Sequence, residues 1–132
     1  MVKMFIPAVL LLLMSCSTLS KTEEDKITRP FTSADAVQAI TIAPNRLFTV
    51  ELQSNPTTGY EWELQIEPSG IVTQKSKEYL AHSSGRIGAG GVTHWTFAAR
   101  KKGSATLTFR YLRPWESNVP ATREIVFTFN VR

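Results

Sequence analysis

The sequence predicts an all-β sandwich of about seven short strands. Three observations carry that prediction. Apolar residues recur with period two along the chain beyond residue 35, turn-forming residues separate the runs, and no segment there keeps a helical period. One face of each run is apolar and the other polar, as antiparallel sheets with one solvated side require.

The first run is "AVQAITIA" (36–43), closed by the turn "PN". "RLFTVELQ" (46–53) points Phe48, Val50 and Leu52 one way and Thr49, Glu51 and Gln53 the other. "YEWELQIE" (60–67) alternates without a break, with Tyr60, Trp62, Leu64 and Ile66 inward and Glu61, Glu63, Gln65 and Glu67 outward. After "PSG", the polar run "IVTQKSKEYL" (71–80) reads as an edge strand. "VTHWTFAAR" (92–100) sets Thr93, Trp95, Phe97 and Ala99 opposite Val92, His94, Thr96 and Ala98. A hairpin at "KKG" leads into "SATLTFRYLR" (104–113), with Ala105, Leu107, Phe109 and Tyr111 on one face. "REIVFTFNVR" (123–132) closes the set with Ile125, Phe127, Phe129 and Val131. Each large apolar side chain fully buried stabilises by roughly 1.5–3 kcal/mol, so Trp62, Trp95, Phe97, Phe109, Phe127 and Phe129 make a substantial interior.

The 132 residues suit one domain. Residues 1–15 read as a signal peptide: Lys3 supplies a basic start and "FIPAVLLLLM" (5–14) an apolar run. As a helix that run reaches roughly 15 Å, half of a ~30 Å hydrocarbon core, too short to span it. It ends in "LMSC", which resembles a bacterial lipobox through Leu13, Ser15 and Cys16. That resemblance implies cleavage before Cys16 and lipid on its sulfur; the alternative is an ordinary cleaved signal peptide. Residues 16–33 are polar and without period, a tether, and the domain is expected to occupy 34–132. The expected location is outside the cytoplasm, on the periplasmic or cell-surface face of a membrane. Ser17 after the lipidated cysteine resembles outer-membrane sorting in an organism with two membranes.

Cys16 is the one cysteine, so the domain must hold by packing, without a disulfide. Cleavage removes Lys3 and leaves 14 basic against 11 acidic residues. No basic run exceeds "RKK" at 100–102, so nucleic-acid binding has little support. His82 and His94 have no cysteine partner for a metal site, and no Gly-x-Ser-x-Gly signature appears. Glu61 and Glu63 share a face but belong to the solvated side of a strand. No enzyme, metal or cofactor is expected, and the domain is expected to be monomeric.

Three linkers are more than turns. "NPTTG" (55–59) is stiffened by Pro56, and its Gly59 can take a positive φ. "SSGRIGAGG" (83–91) is glycine-rich without the sequel a phosphate loop needs, so it is either flexible or its backbone must lie against something. "RPWESNVPAT" (113–122) carries Trp115 outside any alternation, either folded back on the sandwich end or exposed as an anchor. Counting strands up and down puts all three at one end, with "PN", "PSG" and "KKG" at the other.

"NPTTGYEW", "GAGG" and "RPW", in this order on a β-sandwich, resemble the chagasin-type inhibitors of papain-like cysteine peptidases. The resemblance spans about 34–132. It implies an immunoglobulin-like antiparallel sandwich with three binding loops at one end. It also implies reversible, non-covalent, competitive inhibition. Asn55, Pro56, Thr57, Thr58, Gly59 and Tyr60 would enter the catalytic cleft, the two threonines nearest the nucleophile. Gly88, Ala89, Gly90 and Gly91 would lay backbone along the substrate-binding strand. Arg113, Pro114 and Trp115 would clamp the other side. The rival reading is a carbohydrate-binding or adhesive sandwich, because an exposed tryptophan also stacks on sugars.

Overall fold

Period-two alternation becomes two facing sheets because a strand with one apolar face must bury it against another such face. A computed structural model of the chain describes residues 26–83 and 86–132. The strands are β1 (Ile40–Ile42), β2 (Leu47–Ser54), β3 (Glu61–Glu67), β4 (Val72–Ala81), β5 (Gly91–Ala99), β6 (Gly103–Leu112) and β7 (Arg123–Val131). One sheet has the order β1-β7-β6-β3 and the other β2-β5-β4. All pairs are antiparallel except β1 with β7, which is parallel.

The inward faces follow the alternation. Phe48, Val50 and Leu52 of β2, Trp95 and Phe97 of β5, Leu107 and Phe109 of β6, and Phe127, Phe129 and Val131 of β7 are buried in one cluster. Phe48 stacks on Phe97 at 5.3 Å and meets Phe129 from the facing sheet at 4.5 Å. Strand β4 is the edge strand its polarity announced, exposed along nearly its whole length. A bulge between Gln74 and Ser76 breaks its register, one of the devices that blunt an exposed edge.

Two expectations need correction. Residues 36–43 do not form one strand: Ser33–Val37 make a 3-10 turn, and only Ile40–Ile42 join the sheet. Local hydrogen bonding outweighs the weak alternation there, because the Asp35 carboxylate accepts from the Thr32 backbone N–H at 2.8 Å and from Arg29 at 2.9 Å. Nor is the chain a free tether up to residue 33. From Lys26 it runs beside β2 in parallel, bridging at Leu47 and Val50. The Ile27 and Phe31 N–H groups donate to the Leu47 and Thr49 carbonyls, and the Phe31 carbonyl accepts from Glu51 N–H, each at 2.8 Å. Phe31 enters the core against Phe48 and Phe129. Its signal in the sequence was masked by charged neighbours, since a single anchor has no period. The segment caps the edge of β2 that would otherwise present unpaired backbone. The signal peptide, Cys16 and the rest of the expected tether lie outside the described residues. The core residues among the described ones run from Phe31 to Val131, so the stretch from Lys26 onward carries a two-sheet hydrophobic core.

Phe31→Ala should lower unfolding stability by about 3–5 kcal/mol, the usual cost of emptying a phenylalanine site in a core. Urea unfolding measures it; a change under about 0.5 kcal/mol would mean the segment is a loose tether after all. Arg29 and the Thr32 N–H hold Asp35 below its ordinary pKa. The stability this adds is present in full above the unfolded value, ~3.9, and is lost as pH falls from there through the lower folded value. Asp35→Asn should therefore flatten the acid limb of a stability–pH curve and leave its slope near neutrality unchanged.

Candidate functional site

Strand direction alone brings the three unusual loops to one end. They are loop 1 between β2 and β3 (55–60), loop 2 between β4 and β5 (82–90), and loop 3 between β6 and β7 (113–122). Side chains then join them into a single crest.

Loop 1 is a short 3-10 turn, Pro56–Thr58, capped by Asn55 in front and by Gly59 behind. Asn55 uses every polar group it has. Its backbone N–H donates to the Tyr111 hydroxyl at 2.9 Å, and its side-chain amide donates to the Gly88 carbonyl of loop 2 at 3.0 Å. Its side-chain oxygen accepts from the Thr57 N–H and hydroxyl. Its carbonyl accepts from the Thr58 hydroxyl at 2.7 Å and the Thr58 N–H at 3.2 Å. The hydroxyls of Thr57 and Thr58 are thus donors within the loop, which they brace, while both residues stay exposed.

Gly59 has φ +80°, and a Cβ built on it would lie 2.2 Å from the indole ring of Trp115. The two alternatives for Trp115 are therefore both partly met: the ring rests on the loop 1 backbone, yet 67% of the residue is exposed. Arg113 crosses the same gap. Its Nε donates to the Thr58 carbonyl at 3.2 Å, its guanidinium lies 4.5 Å from the Tyr60 ring, and its Nη1 pairs with Glu116 at 3.1 Å. Tyr60 stacks on Tyr111 at 5.2 Å, and Tyr111 packs on Trp62 at 4.7 Å. The aromatic column carries the crest down into the core.

In loop 2, Gly88 and Gly90 have φ of +79° and +68°. Gly90 also lies close under loop 1, where a Cβ would come 3.1 Å from the Ser54 carbonyl. Ala89 is exposed beside them. Gly91 differs from its neighbours: it is buried in β5, opposite Ser54 and Ala81, where a Cβ would collide with the Leu80 carbonyl. Sheet packing accounts for that glycine.

Of the residues singled out from the sequence, Asn55, Pro56, Thr57, Thr58, Gly59, Tyr60, Gly88, Ala89, Gly90, Arg113, Pro114 and Trp115 meet in this crest. The sequence reading passed over Ile87, fully exposed in loop 2, and Val119, exposed in loop 3. An apolar residue between glycines, with no alternating neighbours, was the available signal for Ile87. It also passed over the Tyr111 hydroxyl, whose partner is distant in sequence. His94 sits on the outer face of its sheet, its Nε2 2.7 Å from Glu51. Among the described residues no cluster of His, Cys, Asp and Glu could hold a metal ion.

A two-sheet sandwich that raises three braced loops on one end defines a class of domain that presents a rigid edge to a partner. Residues 41–131 match the family described as "Chagasin family peptidase inhibitor I42", and the chain belongs to that family. It is 30% identical over 88 residues to chagasin from Trypanosoma cruzi, covering 64% of this chain and 80% of the relative. It is 33% identical over 94 residues to amoebiasin-1 from Entamoeba histolytica, covering 70% and 86%. Among solved structures it superposes on the cysteine protease inhibitor EhICP2 from Entamoeba histolytica with a TM-score of 0.69, at 22% identity, over 79% of this chain and 94% of that one. It also superposes on PbICP-C, solved in complex with falcipain-2, with a TM-score of 0.59 at 13% identity, over 81% and 97%.

Gly59→Ala should dislodge Trp115 and strain a backbone in the left-handed region. The expected result is a shift of indole emission towards that of a free tryptophan, with the fold retained by circular dichroism. An unchanged emission spectrum would separate the ring from loop 1.

Proposed function

We propose that the chain inhibits papain-like cysteine peptidases reversibly, competitively and without a covalent bond, by seating the three-loop crest in the catalytic cleft. The observation that carries this is the convergence of the loops through the Asn55–Gly88 bond, the Arg113–Thr58 bond and the contact of Trp115 with Gly59. Membership of a family of peptidase inhibitors supplies the activity; the geometry supplies the means.

A crest already braced in the free protein loses little conformational freedom on docking, so more of the contact energy appears as affinity. The exposed indole of Trp115 gains apolar burial on contact and suits an anchor position. An interface of ordinary size, on the order of 1,600 Å², is within reach of three such loops. Resistance to cleavage follows from the curled backbone. The carbonyls of Asn55, Pro56 and Thr58 accept hydrogen bonds from Thr58, Gly59 and Arg113, which hold loop 1 closed instead of extended. Extending loop 1 into the form a peptidase cleaves would first have to break that set. Pro56 to Gly59 then occupy the cleft without offering a peptide in cleavable form.

The apolar run 5–14 and Cys16 support an exported protein held to a membrane by lipid on that cysteine, with Ser17 favouring the outer membrane where there are two. Mass analysis of the N-terminal peptide from membranes should find an acylated Cys16, and Cys16→Ser should release the domain.

The 26–132 portion should inhibit papain, and raising the substrate concentration should relieve the inhibition. Trp115→Ala should weaken it by 30-fold or more, corresponding to the ~2 kcal/mol of an interface hot spot. Retention on polysaccharide with no effect on the peptidase would favour the sugar-binding reading and overturn this one.

A further inference from the structure

The turns opposite the crest form a second surface. Leu47, Ala99, Gly103, Val131 and Ile42 are neighbouring strand ends, so the turns at 43–46, 68–71 and 100–102 and the residue after β7 meet at one pole. Backbone bonds staple them: Ala99 N–H to the Arg46 carbonyl at 2.9 Å, Arg100 N–H to the Ile71 carbonyl at 2.7 Å, and Arg132 N–H to the Ile42 carbonyl at 3.0 Å. Lys26 enters at the same pole, beside Leu47. Among the described residues, Lys26, Arg46, Arg100, Lys101, Lys102 and Arg132 therefore share one end with one acidic side chain, Glu67. The other described residues hold seven cationic and seven anionic side chains, so the excess positive charge of the described domain is concentrated there. The arginines at 46 and 100 have partners within the protein; they count here as charge.

We propose that this pole rests on the anionic, phosphate-bearing headgroups of a lipid bilayer and sets the crest facing away from it. Each Lys or Arg near an anionic surface adds about a fivefold gain in partition, and the gain fades within a Debye length. Among the described residues the exposed large apolar side chains are Val37, Tyr79, Leu80, Ile87, Trp115, Val119 and Val126, and none lies among these turns. The pole accordingly offers charge without the aromatic platforms that stack nucleic-acid bases. In sequence, Lys26 follows the apolar run 5–14 and Cys16, the expected lipid attachment point. Glu23, Glu24 and Asp25 precede Lys26 in sequence, and their negative charge limits the gain an anionic surface can give, so the proposed contact is orienting and reversible instead of a second anchor. Strands of about ten residues at ~3.3 Å each then lift the crest roughly 30 Å from the headgroups. An inhibitor lying on its side would bury its loops against the lipid.

Binding by the pole can be measured separately from lipid attachment and from peptidase binding. Its test uses the 26–132 portion, which carries the two-sheet core, in sedimentation with lipid vesicles. Binding is expected to vesicles of equal parts phosphatidylglycerol and phosphatidylcholine, and not to phosphatidylcholine alone. It should vanish in 1 M salt, where the Debye length is about 3 Å. Lys101→Ser with Lys102→Ser should weaken partition roughly 30-fold with papain inhibition unchanged. The matched pair Lys75→Ser with Lys77→Ser, on β4, should weaken it far less. No binding to the anionic vesicles, equal binding to both vesicle types, or equal effects of the two double variants would overturn the proposal. So would competition by millimolar inorganic phosphate, which would mark a discrete anion site. Tighter binding to duplex DNA than to vesicles would assign the pole to nucleic acid instead.

Discussion

Asn55 is the point on which the crest depends. Its backbone N–H is tied to Tyr111, its side-chain amide to Gly88, its side-chain oxygen to Thr57 and its carbonyl to Thr58. One residue thereby caps a turn, joins two loops and ties both to a strand of the sandwich. Aspartate would keep the capping oxygen and lose the donor to Gly88; serine would be too short to span the loops. The requirement for donor and acceptor on one planar group explains asparagine here better than general turn preference does.

The sandwich transmits its stiffness to that residue through aromatic rings. Phe109 packs against Trp95 and Trp62, Trp62 against Tyr111, and Tyr111 against Tyr60, with the Arg113 guanidinium over the last ring. Arg113 and Trp115 divide their labour within loop 3. Arg113 spends its guanidinium on holding loop 1 and Glu116, while Trp115 leaves most of its indole exposed. The glycines divide likewise: Gly59, Gly88 and Gly90 have positive φ, whereas Gly91 is required by the close approach of β4 to β5.

The two ends of the domain thus have opposite characters. One carries shaped loops, the first with its backbone and hydroxyl groups bonded internally, whose exposed residues include Trp115, Ile87 and Val119. The other carries short, stapled turns and the excess positive charge of the described residues. Strand parity produces this separation, because in an up-and-down arrangement alternate connections fall at alternate ends. The segment 26–31 adds to the same polarity, since it runs up beside β2 from the charged end and closes an edge of the sheet.

The sandwich class, the inward faces of β2, β5, β6 and β7, the edge character of β4 and the grouping of the three loops were legible in the sequence. All of them follow from period-two alternation and from the count of turns. Those signals are local, and burial of one strand face repeats them at every second residue. What the tertiary structure alone decided is which groups meet across long stretches of chain. The Tyr111–Asn55 bond, the seating of Trp115 on Gly59, the use of the threonine hydroxyls inside loop 1 and the docking of Phe31 have no periodic signature. Each is a single contact between distant positions, set by how the two sheets face one another.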